Sequence, residues 1–168
     1  ELGGMQILMG GLSSALLKYG PVKIFAEEHK NSDIHDKKFQ WDITRVSGIK
    51  LFRKFRKANL VNNYLKENPS IKALIADHWK SLEYIDKKSL SNKKTLCLIH
   101  SKEINHPANS RLNKRMIESI SKADFIISNS NFTKRLAENN GIDVNKIKVI
   151  HPGINFCEEP DKNNIKAA

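Results

Sequence analysis

Apolar positions along the chain fall into two alternating rhythms, one of period near 3.6 and one of short continuous runs. Ile7, Leu8, Gly11, Leu12, Ala15, Leu16 and Tyr19 recur at helical spacing between Gly3-Gly4 and Gly20-Pro21, which predicts a helix over about 5–19. Val22–Ala26 is a short β-type run and Trp41–Val46 alternates as a second strand, with a polar loop between them. Leu51, Phe55, Ala58 and Leu65 mark one face of a helix that Asn68-Pro69 stops.

From there a unit repeats. Ile71–Ala76 is an apolar strand ending at Asp77-His78, and Trp79, Leu82 and Ile85 predict a short helix behind it. Thr95–Ile99 ends at His100, and a loop to Ser110 leads to a helix carrying Leu112, Met116 and Ile120. Asp124–Ile127 ends at Ser128, with Ser130 or Asn131 placed to cap a helix closing near Asn140-Gly141. Ile147–Ile150 is the last strand. Nearly continuous apolar strands, each followed by an amphipathic helix, predict a doubly wound parallel α/β sheet of Rossmann-like type. Such sheets bind ligands beyond the carboxyl ends of their strands, which singles out Asp77, His78, His100, Ser101, Ser128 and Asn129.

The chain has 168 residues, the size of one domain, with 39% hydrophobic and 28% charged side chains, as in a soluble globular protein. No apolar run approaches the roughly 20 residues of a spanning helix. Cys97 and Cys157 form no CxxC pair, so a reducing, cytosolic setting is expected. A net charge of +11, from 29 basic against 18 acidic residues, favours phosphates or anionic surfaces as partners. Nucleic acid is not expected, because no aromatic stacking array accompanies the charge. His29, His35, His106 and His151 lack zinc-motif spacing, and no metal is expected. The absence of GxSxG, GxGxxG and Walker loops removes the usual support for hydrolase, simple dehydrogenase and NTPase readings.

Three features carry candidate chemistry. Gly3-Gly4 opens a helix, where glycines let a phosphate approach exposed N–H groups and the helix dipole favours its charge; the alternative is a flexible turn. His100 stands at a strand end, where an imidazole can hydrogen-bond a substrate hydroxyl; the alternative is a histidine satisfied by a neighbouring loop. Lys50, Arg53, Lys54, Arg56 and Lys57 form an acid-free basic run beside Leu51, Phe52 and Phe55. That pattern suits an anionic membrane surface, or else a solvated face whose phenylalanines pack on the sheet.

Gly3-Gly4-Met5-Gln6 resembles the GG(I/M/V)(Q/E) start of group 1 glycosyltransferases, family 4 of the GT-B fold. Ala123-Asp124-Phe125-Ile126-Ile127-Ser128-Asn129-Ser130, then Leu136, Gly141 and Lys146–Asn155, resemble the family's AD-x-(I/V)-(I/V)-x-S segment and its passage into a second domain. The start and the loop after His100 are most similar to phosphatidylinositol mannosyltransferases and their relatives.

The resemblance implies the N-terminal half of a GT-B enzyme: residues 1–156 as the acceptor-side domain, 157–168 as the start of an interdomain linker, a first strand upstream, and a donor domain beyond the chain. It implies transfer of a hexosyl unit, with retention, from a nucleotide diphosphate sugar to a lipid or glycan acceptor. It also implies no cofactor and no obligatory metal. His100 is expected to contact the donor sugar and Gly3 and Gly4 the diphosphate, with Gln6, Ser101, Glu103, Ser128 and Asn129 lining the acceptor side. Arg53, Lys54, Arg56 and Lys57 would meet the inner face of a membrane, making the protein cytoplasmic and peripheral. His151-Pro152-Gly153 departs from the family's PNG, and the family's basic pair and paired glutamates belong to the second domain, so little turnover is expected of this half alone. The competing reading is a non-catalytic α/β module that binds anionic surfaces or a protein partner.

Overall fold

A computed structural model describes residues 4–30, 32–37 and 39–153. The helices are α1 (Gly4–Leu16), α2 (Ser32–Asp36), α3 (Lys50–Glu67), α4 (Trp79–Leu82), α5 (Ser101–Ile104), α6 (Arg111–Ile120) and α7 (Asn131–Asn139). The strands are β1 (Lys23–Glu27), β2 (Asp42–Val46), β3 (Ala73–Ala76), β4 (Lys94–Ile99), β5 (Phe125–Ser128) and β6 (Ile147–Val149). Short helices α2 and α5 occupy two stretches that read as loops in the sequence, being too brief to show helical periodicity.

Every strand pairing is parallel. Among the described residues β1 pairs only with β2, and β3-β4-β5-β6 form a second sheet, as a parallel Rossmann-like α/β architecture. Helix α3 links the two sheets. Its Ala58, Val61 and Leu65 form a cluster with Ile85 and Leu90, on which Phe25 of β1 and Leu74 of β3 both pack.

The main core lies on the four-stranded sheet, where Cys97, Ile99, Ile126 and Ile147 meet Trp79, Leu82, Met116 and Ala137 from the helices. Cys97, Leu98 and Ile99 are buried in succession, so both faces of β4 are covered. Polar groups fix the boundaries. Ser110 and Ser130 accept from the Asn113 and Thr133 amides at 3.1 Å and cap α6 and α7. Gly141, at φ +83°, ends α7 with the paired bonds Gly141 N to Glu138 O and Ile142 N to Ala137 O. Lys122 Nζ donates to the carbonyls of Leu82, Glu83 and Ile85, tying the exit of α4 to the end of α6. Asp124 accepts from the Thr95 amide at 2.7 Å and donates its own amide to Thr95 O, so the aspartate of the AD segment aligns β5 on β4.

Helix α4 is capped by a histidine: His78 Nδ1 accepts from the Lys80 amide at 2.9 Å. Burial first, and then the Lys80 charge, lower the His78 pKa from 6.5 to about 4. Between those values the unfolded chain takes up a proton that the folded chain refuses, so this site weakens the fold as pH falls through that window. His78→Asn retains a capping oxygen without the titration. Its urea midpoint is expected to drop less than the wild-type midpoint between pH 7 and pH 5, and equal drops would refute the assignment. In the core, Ile126 is 1% exposed, and Ile126→Ala is expected to lower unfolding free energy by about 2–4 kcal/mol in the same assay.

Candidate functional site

Because the strands run in one direction, β3, β4 and β5 release Asp77, His100 and Asn129 along one edge of the sheet. A cleft of about 380 Å³ opens at that edge, lined by Gly4 and Leu8 of α1, His100 after β4, Asn129 after β5 and Pro152 after β6. Gly4 and Leu8 share a face because they are one helical turn apart. A methyl group built on Gly4 would touch nothing within 4 Å, so this helix start faces open space. The Asn129 Oδ1 accepts from the Thr133 hydroxyl at 2.8 Å, which fixes its carboxamide at the rim.

His100 is half-buried, and its Nε2 is buried with no hydrogen-bond partner in the chain. Burial lowers its pKa, with Asp77 opposing, so the ring is neutral at pH 7 and can both donate and accept a hydrogen bond. The helical turn α5 then carries Glu103 back beside His78, where His78 Nε2 faces Glu103 Oε1 at 3.4 Å. Since Nδ1 of His78 is occupied as an acceptor, the proton sits on Nε2, and the contact is a neutral N–H against a carboxylate rather than an ion pair. Burial, with Asp77 adding to it, raises the Glu103 pKa. Asp77 itself accepts from the Ser81 hydroxyl at 2.8 Å. Cys97, three residues before His100 on β4, is held as the thiol by burial and offers no nucleophile.

The remaining residues singled out in the sequence separate into groups. Gly3 and the 157–168 linker lie outside the described residues. Ser101 is half-buried at the start of α5, next to His100. Ser128 does not line the cleft: it is fully buried, and its hydroxyl donates to Ser130 O at 2.8 Å, so it shapes the turn into α7. Gln6 does not line it either, being exposed and roughly 200° around α1 from Gly4. Leu8, Pro152 and the His78–Glu103 contact were missed. Leu8 follows Gly4 by four residues, a usable signal, whereas the other two depend on chain folding.

The basic run on α3 is partly engaged within the chain. Arg53 pairs with Glu27 at 3.2 Å and donates to Gly48 O, leaving its side chain 18% exposed. Arg56 donates to Ser47 O, and Lys54 Nζ donates to the Tyr84 hydroxyl while lying over the Phe55 and Tyr84 rings. Lys57 is half-buried. Phe55 packs on the Tyr84 ring with centroids 4.4 Å apart, whereas Ile49, Leu51 and Phe52 are exposed together at the head of the helix, which buries Ala58, Val61 and Leu65 further along. Among the described residues no helix is long and apolar enough to cross a membrane, and no group of His, Cys, Asp and Glu could hold a metal ion.

Comparison with curated protein sequences finds no match. Among solved structures, Anabaena HepE in complex with UDP is similar at a TM-score of 0.67 and 14% identity, HepE with UDP-glucose at 0.67 and 13%, and HepE with UDP and glucose at 0.65 and 16%. Each likeness covers 92% of this chain and 42% of the HepE chain, so the chain spans less than half the length of those structures. At that identity the likeness is one of fold. The sequence model of Glycosyltransferase Family 4 matches residues 2–156, and the chain belongs to that family.

Proposed function

We propose that this chain is the acceptor-side part of a retaining glycosyltransferase that moves a hexosyl unit from a nucleotide diphosphate sugar to a lipid or glycan acceptor. The observation that carries the reading is the cleft joining the open start of α1 at Gly4 to the unpartnered imidazole of His100. Amide groups and the positive end of a 13-residue helix suit the negative charge that grows on a departing diphosphate. A neutral His100, with one donor and one acceptor nitrogen, suits a sugar hydroxyl. HepE, with which the chain shares its fold, is seen with UDP and UDP-glucose, which makes these the donor probes of choice. No metal is required in this reaction, since the amides at the start of α1 would meet the diphosphate charge.

In the full-length protein, His100→Ala is expected to lower UDP-glucose turnover by more than 100-fold, while UDP affinity by calorimetry stays within about threefold. Wild-type turnover by a folded His100→Ala variant would refute the role. Gly4→Ala should leave the melting temperature unchanged or raise it, yet weaken UDP, because only a ligand can meet the added methyl. Turnover is also expected to survive EDTA.

The exposed apolar head of α3 supports peripheral docking on an anionic membrane, with Leu51 and Phe52 inserting and Lys50 and Lys57 supplying charge. Co-sedimentation with phosphatidylglycerol vesicles should exceed that with phosphatidylcholine vesicles and fall at least fivefold for Leu51→Ser/Phe52→Ser. Binding indifferent to both changes would remove the membrane from this reading.

A further inference from the structure

A second cavity, of about 290 Å³, opens at the amino ends of β4 and β5, the edge of the sheet opposite the cleft. Lys87 and Ser91 border it from the 3-10 turn Lys87–Leu90 and its exit, Lys93 and Thr95 from the start of β4, and Lys122 and Asp124 from the link between α6 and β5. Backbone bonds hold that turn in place: Ser89 N donates to Asp86 O at 3.0 Å and Lys93 N to Leu90 O at 3.1 Å. Asn92, at φ 62°, reverses the chain between them and β4, a conformation that asparagine tolerates better than most residues. The wall of the cavity therefore stands before any ligand arrives.

Thr95 is 1% exposed, and its hydroxyl has no hydrogen-bond partner in the chain. A buried hydroxyl left so is costly, and one on a residue that borders a cavity marks where a ligand or water completes the bonding. Lys87 and Lys93 form no ion pair among the described residues. Lys122 commits its three N–H donors to the carbonyls of Leu82, Glu83 and Ile85 and offers the cavity charge alone. The Lys87 charge reaches Lys122, as do those of Glu118, Glu83 and Asp86, but Glu83 is paired with Arg115 at 2.5 Å and Asp86 with Lys66 at 3.6 Å. Asp124 gives Oδ2 to the Thr95 amide at 2.7 Å and, being exposed, keeps Oδ1 as an acceptor. We propose that this cavity is a second binding site, for a small soluble phosphate monoester that carries a free hydroxyl. Its phosphate oxygens take Lys87, Lys93 and the Thr95 hydroxyl, and its own hydroxyl donates to Asp124.

The lining selects among ligands. Three ammonium groups against one carboxylate leave it positive, which favours an anion and opposes an ammonium ligand. A neutral polyol would leave the lysines unanswered. Bare phosphate presents acceptors alone and would be opposed by Asp124, whereas the hydroxyl of an ester turns that carboxylate into a partner. No aromatic side chain borders the cavity, so the base of a nucleotide or of a nucleic-acid strand would find nothing to stack on.

The test is calorimetric titration of the full-length protein with glycerol 3-phosphate, inorganic phosphate and glycerol, with excess UDP present to compete for any phosphate site in the cleft. Glycerol 3-phosphate is expected to bind one equivalent, at least about threefold tighter than inorganic phosphate, and glycerol not to bind. Lys87→Ala/Lys93→Ala should weaken glycerol 3-phosphate at least about tenfold at an unchanged melting temperature, because charge-assisted bonds are lost from the surface of the fold. Thr95→Val removes the hydroxyl and little else. It should weaken the ligand at least about threefold and leave the ligand-free melting temperature unchanged or higher, since the lost hydroxyl has no partner in the chain. A lower melting temperature for Thr95→Val would show that hydroxyl bonded within the chain and overturn the proposal. Affinity within twofold of wild type in both variants, or no titration of the wild type by either phosphate, would overturn it equally. Equal affinity for inorganic phosphate and glycerol 3-phosphate would overturn the Asp124 contact. Binding of phosphatidic acid vesicles that glycerol 3-phosphate fails to displace would overturn the soluble ligand.

Discussion

Parallel pairing of β3, β4 and β5 is the constraint on which the site depends. Ala76 lies opposite Cys97 and Ile99 opposite Ser128, so successive strands end nearly level and deliver polar residues to one edge. A register slip of one residue would turn Cys97 and Ile99 outward from the faces they fill and misplace His100 with them. The pairing is secured at its other end as well, where Asp124 holds both backbone groups of Thr95. The AD segment thus aligns the strands at the end of the sheet opposite His100.

Around that edge the chain divides its polar residues between structure and chemistry. Ser110, Ser130 and His78 cap helices, Lys122 closes three carbonyls, and Ser128 closes a turn. Each has its bonds met inside the chain. His100, Glu103 and His106 retain buried atoms that have none; Glu103 lies within the helical turn α5, and His100 and His106 flank it. Helix α3 shows the same division on a larger scale: its middle joins the two sheets through Phe25 and Leu74, while its head leaves Leu51 and Phe52 in the open. That exposed head is an apolar patch with a basic border, of the kind that marks an interaction surface.

Hydrophobic rhythm alone determined the strands, the helices other than α2 and α5, and their parallel α/β class. This follows because a strand buried on both faces and a helix buried on one must carry distinct periods whatever surrounds them. His100 and Asn129, singled out at strand ends, and Gly4, singled out at a helix start, line one cleft, and the ordered motifs from Gly3-Gly4 to Gly153 pointed to the family that the comparison identifies. Tertiary structure decided what period and type do not encode, namely which polar group finds its partner inside the chain. Ser128 and Asn129 are neighbours in the same motif, yet one is sealed in a turn and the other lines the cleft. Arg53 and Leu51 belong to the same basic, apolar run, yet the arginine folds back onto Glu27 and the leucine stays exposed. His78 and Glu103 stand 25 positions apart and meet only because two parallel strands end side by side. Burial and pairing are properties of neighbours brought together by the fold, and a sequence specifies them only through the whole of that fold.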